Sequence, residues 1–214
     1  MRPTTGQVGR LTRQAQRRLN RLNSLAAPLS LPITPELRRQ LSYVVIESAN
    51  LWEQYSVCLY LSSALGARDP HGTRITSSPA PDPTHAIDLA VWAVHPELTG
   101  QHRQWDRLEQ PDLKNKGVLA KALDSIDATI FDDVDRALSY PTRVLADLPR
   151  MRNFYAHKSE RASRSAMAIG NHYGITRQLT PHELLLTRPP GPKRALLMEW
   201  LADLSAVFGL MPSD

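Results

Sequence analysis

Between Thr34 and Gly66 the apolar residues recur at the spacing of an α-helix. Leu37, Leu41, Val44, Leu51, Tyr55 and Leu59, with Ser48 in line, form one stripe, three or four residues apart as a turn of 3.6 residues requires. Thr34 offers a capping hydroxyl, Pro35 suits the first helical position, and Gly66 marks the end. A long helix from Pro35 to about Leu65 is therefore the element around which the rest must pack. No stretch alternates apolar and polar residues as a half-buried strand would, and no internal repeat is visible. The expected fold class is all-α, with about six or seven helices in a single domain spanning 1–214.

The flanking segments fit that expectation. A basic amphipathic helix within residues 1–30 is expected over Gln7 to Ala26, with Leu11, Ala15, Leu19, Leu22 and Ala26 at helical spacing. Residues 66–83, GARDPHGTRITSSPAPDP, hold four prolines and two glycines and predict a loop, either mobile or functional given its length. A helix follows from about Thr84 to Val94, then a mixed segment to Asp112 with Trp105 as an anchor. Asn115 to Tyr140 reads as two helical pieces. Pro141 begins another helix that Pro149 kinks or restarts. Asn171 to Gly174 reads as a break, Thr180-Pro181-His182-Glu183 as a capping box, and Lys193 to Phe208 as the last helix.

The composition narrows the functional classes. The formal charge is +5 and the pI about 9.6, which suits a polyanionic partner or a solvated basic surface. Residues 1–30 carry six arginines (Arg2, Arg10, Arg13, Arg17, Arg18, Arg21) and no acid. Those arginines guide RNA, contact a partner or are simply solvated. From Arg143 to Arg164 six basic residues face only Asp147 and Glu160. No apolar run is long enough to span a membrane, and no secretory signal is recognisable. The single cysteine, Cys58, cannot form an intrachain disulfide, which fits a cytoplasmic location. The histidines outside the site described next show no HExxH-type spacing, so no metal or cofactor is expected.

The segment RMRNFYAHKSER, Arg150 to Arg161, is the candidate site. On a continuous helix Asn153 and Arg161 lie one turn either side of His157, and Arg150 and Arg164 fall within about 20° of it. One face would present Arg150, Asn153, His157, Arg161 and Arg164, while Val144, Leu148, Met151 and Tyr155 face the core. Tyr155 could instead stack on a base. A row of guanidinium groups around an imidazole suits a phosphodiester. Histidine, with an ordinary pKa of about 6.5, can take the proton of a ribose 2′-hydroxyl. Arginine's planar fork matches phosphate oxygens, and Asn153 can orient the ring.

Arg152-Asn153-Phe154-Tyr155-Ala156-His157 matches the Arg-x(4–6)-His signature of HEPN domains in the form with Asn after Arg. Together with FDDVDRAL at Phe131–Leu138, it resembles the HEPN proteins of prokaryotic defence and toxin systems. The strict motif covers six residues and the looser likeness Asp132 to Arg164. The resemblance implies an all-α, HEPN-like helical bundle that forms a homodimer and pairs two motifs in one cleft. It implies a metal-independent endoribonuclease leaving 2′,3′-cyclic phosphate ends, acting as a toxin or antiviral effector. Its partners would be RNA and an antitoxin, such as a nucleotidyltransferase, or another defence-system protein. Carried over, Arg152 and His157 are catalytic with Asn153 in support, and Arg150, Lys158, Arg161 and Arg164 contact the RNA backbone. One alternative is a non-catalytic HEPN module that binds nucleic acid or a partner protein; a second is a toxin-like subunit neutralised by a nucleotidyltransferase or other antitoxin.

Some geometry stays open. Arg152 and His157 are five residues apart, about 140° around a straight helix. A kink after Pro149, the reach of the arginine, or pairing across a two-fold dimer would reconcile them; a structural Arg152 paired with an acid is the other reading. Glu47, Asn50 and Gln54 share a face and are either accessory residues of the cleft or packing partners. Asp124, Asp127, Asp132, Asp133 and Asp135 read as a solvated face with an Asp132–Arg136 pair, in preference to a divalent-metal site.

Overall fold

The structure, a computed structural model, describes residues 1–102, 111–192 and 194–213. Among these residues the only regular elements are helical, apart from isolated β-bridges joining Gln7 to Arg68 and Arg68 to Arg74. Helix α1 spans Gly9–Ala26 and α2 Pro35–Ala64. Then follow α3 (Pro83–Val94), a short 3-10 turn (Pro96–Leu98), α4 (Lys116–Asp124) and α5 (Phe131–Leu138). The second half holds α6 (Val144–His157), α7 (Glu160–Met167), α8 (Ile169–His172), α9 (Pro181–Leu186) and α10 (Leu196–Leu210). There are more segments than the six or seven expected because the polar stretch after the motif is cut into short helices. The expected anchor Trp105 and the expected start of the last helix, Lys193, lie outside the described residues.

The helix starts are chemically ordinary. Thr34 Oγ1 accepts from the Leu37 amide at 3.3 Å, Asp82 from His85 at 2.8 Å and Asn115 from Gly117 at 2.9 Å. Each satisfies an amide that the helix leaves unpaired. The stripe of α2 is buried from Leu41 through Leu59, with Ser48 buried as well. Its hydroxyl donates back to the Val44 carbonyl at 2.7 Å, which is how a polar residue joins a core face. On α1 the expected apolar positions are all buried, and Arg10, Arg17 and Arg21 are exposed.

The chain clusters into two compact units. One comprises Met1–Gln16, Trp52–Tyr140 and Val207–Asp214; the other comprises Arg17–Leu51 and Pro141–Ala206. In the first, Tyr55 meets the edge of Phe208 at 4.9 Å, and its hydroxyl bonds Thr12 at 3.0 Å. Burial pushes the Tyr55 phenol well above its ordinary pKa. Tyr60 donates to the Ala86 carbonyl at 2.6 Å. In the second, the indole of buried Trp200 donates to Tyr173 at 2.8 Å, and α6 packs on α7.

Residues 66–83 are a loop, but one stitched down along its length. Ile75 is fully buried; its amide donates to Ala67 at 2.9 Å and its carbonyl accepts from Thr129 at 2.8 Å. Thr76 donates to Ile126 at 2.9 Å, and the Ala80 amide bonds Ala64 at 2.7 Å. Such a loop is part of the core. Ile75→Ala should therefore cost about 2–4 kcal/mol, whereas His71→Ala, at an exposed position, should stay within about 0.5 kcal/mol. Urea denaturation of both variants checks this.

Candidate functional site

The last turns of α6 bury Leu148, Met151 and Tyr155 and leave Asn153 and His157 exposed, as the helical period requires. Pro149 lies inside the helix without ending it. The helix stops at His157 because Lys158 turns left-handed, with φ 47° and ψ 26°, a conformation that costs a non-glycine residue about 1–2 kcal/mol. The Lys158 amide still bonds the Phe154 carbonyl at 2.9 Å. Ser159 then caps α7, its hydroxyl accepting from the Ala162 amide at 3.2 Å.

This break corrects the expectation of one continuous helix through Arg164. Arg150, Asn153, His157 and Arg161 nonetheless meet, because α7 packs against α6. With Ser159, Ala162 and Ser165 they line a cleft of about 360 Å³. Arg164 does not line it. Its guanidinium pairs with Glu160 at 3.5 Å, and it borders a larger groove of about 690 Å³ with Met167, Ile175, Arg177 and Leu184. Lys158 is exposed at the turn. Among the described residues Arg161 makes no ion pair, so it is the cation of the cleft with its charge uncommitted.

Arg150 is committed. Its guanidinium donates to the Ser165 carbonyl at 2.8 Å, to the Ser165 hydroxyl at 3.2 Å and to Asp147 at 3.3 Å. Asp147 has 0% exposure. Two further groups contact the carboxylate: the Arg143 guanidinium at 3.5 Å and the His172 ring at 3.3 Å. Burying a carboxylate is costly unless it is paired on several sides. Burial, with a smaller contribution from Asp147, drives the Tyr173 phenol above its ordinary pKa. In the sequence Asp147 stands out only as an acid within a basic patch. Its i−4 spacing to Arg143 and i+3 spacing to Arg150 was the available signal.

Arg152 is not among the residues lining the cleft. It is half-buried, and its Nε is buried with no hydrogen-bond partner among the described residues. Glu47 pairs with Arg18 at 3.5 Å and accepts from Asn50 at 3.1 Å. Neither Glu47 nor Asn50 borders the cleft.

Other expectations resolve variously. Tyr155 belongs to the core, its hydroxyl 3.0 Å from His182 Nδ1. Phe154 meets the His182 ring at 5.4 Å. Burial lowers the His182 pKa below its ordinary value; Arg38 and Lys158 lower it further, while Glu183 opposes them. Arg136 pairs with Asp133 at 3.2 Å and not, as expected, with Asp132. Asp124, Asp127 and Asp132 line one small cleft, closer company than their spacing suggested. His85, Asp88 and His102 come together, a grouping that no short motif encodes.

Two measurements follow from these networks. Asp147→Ala removes the shared partner of Arg143, Arg150 and His172, and should cost about 1–3 kcal/mol by urea denaturation. Because folding favours neutral His182, its contribution to stability is complete above its ordinary value of 6.5. It falls as pH drops, since the unfolded chain takes up the proton first. His182→Asn should therefore lose less stability than wild type between about pH 7.5 and 5.5. Equal losses would mean that His182 titrates alike in both states.

The chain matches no protein-family model, no curated protein and no solved structure, so its chemistry rests on these residues alone.

Proposed function

We propose that this chain is an endoribonuclease of the HEPN type, using His157 as general base and needing no metal for cleavage. The observation that carries the reading is the shared cleft of Asn153, His157 and Arg161, with the imidazole exposed. In the reaction His157 removes the proton of a ribose 2′-hydroxyl and the 2′-oxygen attacks the adjacent phosphorus. The bond from phosphorus to the 5′-oxygen breaks, and that oxygen takes a proton from water while protonated His157 returns its own to solvent. The products are a 2′,3′-cyclic phosphate and a 5′-hydroxyl. Asn153, one turn before His157, is the positioning residue. Arg161 supplies a guanidinium in the same cleft, and Lys158 at the turn adds a backbone contact.

Arg152 fits this scheme through a second copy of the chain, in which a two-fold arrangement opposes one protomer's Arg152 to the other's His157. Homodimerisation is thus part of the proposal. The biological role would be that of a toxin or antiviral effector, held in check by an antitoxin or other defence partner. No helix among the described residues is long and apolar enough to cross a membrane.

A second reading has its own support. Arg152 lies off the cleft and Arg150 is tied to Asp147 and Ser165, as would suit a module that binds RNA or a protein without cutting. Cleavage of a labelled RNA, with analysis of the product ends, separates the two. Wild type should cut and leave cyclic phosphate, His157→Ala should lose at least about a hundredfold in rate, and Arg161→Ala should chiefly weaken binding. Binding without cutting by wild type would favour the module. Growth on expression of wild type, Arg152→Ala and His157→Ala then tests the toxin role; equal growth for all three would refute it.

A further inference from the structure

His85 lies in the first turn of α3 and Asp88 three residues on, so both project from one face. From His95 the chain continues through the 3-10 turn and back toward that face. The Leu98 amide bonds His95 at 3.0 Å, Thr99 bonds Pro96 at 3.2 Å and Gln101 bonds Leu98 at 2.9 Å. Gly100, with φ 84°, supplies the left-handed residue the return requires. His102 Nδ1 then lies 3.2 Å from Asp88 Oδ2. One donor atom from each of His85, Asp88 and His102 falls within 4.8 Å of the others.

We propose that these three side chains form a binding site for a Zn²⁺-class divalent ion, distinct from the α6–α7 cleft. Two imidazoles and one carboxylate suit a borderline transition-metal ion better than Mg²⁺ or Ca²⁺, which take oxygen donors. Around a tetrahedral ion with bonds of about 2.0–2.1 Å, ligand atoms stand about 3.3–3.4 Å apart. The Asp88–His102 separation of 3.2 Å lies close to that spacing, and the His85 donor, within 4.8 Å of both, would draw inward on binding. The protein holds the least mobile ligand most firmly, with Asp88 at 2% side-chain exposure. His102, at 55%, forms the open side, where water completes the coordination.

The surroundings point the same way. The His85 and His102 rings are nearly parallel, with centroids 5.3 Å apart, and Trp92 sets its indole against both, at 6.0 and 5.0 Å. The Trp92 Nε1 is buried and has no acceptor among the described residues. The indole that carries this orphaned donor packs against both imidazoles. Bound metal would fasten the 95–102 turn to α3.

Titration of the untagged, full-length chain with Zn²⁺ alone, followed by calorimetry, tests the proposal. Binding of one equivalent is expected, with Co²⁺ at the same site giving the visible spectrum of a tetrahedral centre. His85→Ala and His102→Ala should each weaken affinity by at least about tenfold, and Zn²⁺ should raise the melting temperature of wild type but not of the variants. Absence of saturable binding, or affinity unchanged in His102→Ala, would overturn the site. Because His102 is exposed, that variant remains decisive even where His85→Ala fails to fold. Neither result depends on RNA cleavage, so this proposal and the nuclease reading stand or fall separately.

Discussion

A carboxylate in the interior of α6 governs the shape of the cleft without touching it. Asp147 has no exposure to water; Arg143 and Arg150 pair with it, and the His172 ring contacts it as well. Arg150 is the link outward, since the same guanidinium binds Ser165 on α7. The cleft wall is thus held by hydrogen bonds to charged groups, which are stronger than neutral ones. The arrangement also explains why a left-handed residue can be tolerated at Lys158. The helices on either side of that turn are cross-tied by Arg150, so local strain is offset by contacts elsewhere.

Much of the architecture was legible because it follows from period and punctuation. The stripe of α2, the Pro35 start, the capping box at Thr180 and the stop near Gly66 are local physics, and each lies where the sequence placed it. The break at Lys158 was not legible, because no glycine or proline marks it. Ser159 was the signal available, a capping residue followed by an acid. Treating Arg150 to Arg164 as one helix still grouped Arg150, Asn153, His157 and Arg161 correctly, since folding α7 against α6 returns Arg161 to the same face. It misplaced Arg164.

Partnerships across long separations were beyond a reading by spacing. Asp147 with His172, Tyr155 with His182, and Asp88 with His102 join residues whose relation depends on how turns redirect the chain. The histidines illustrate this most plainly. Scanned for short motifs they are scattered, yet in the fold three of them engage a carboxylate or phenol in a partly or fully buried setting. The separation of about 140° around a straight helix already set Arg152 and His157 apart, and the structure leaves Arg152 outside the cleft that His157 lines.

The saturation of Arg150 has an electrolyte consequence. Of the two guanidinium groups bordering the cleft, one shares the Asp147 carboxylate with Arg143 and is tied to Ser165, so less of its charge is open to an incoming nucleic acid. A polyanion seated there would displace ions mainly at Arg161 and the neighbouring Lys158. A chain with 26 lysines and arginines would then show a shallow dependence of affinity on ionic strength at this cleft, its slope reflecting only the few phosphates met there.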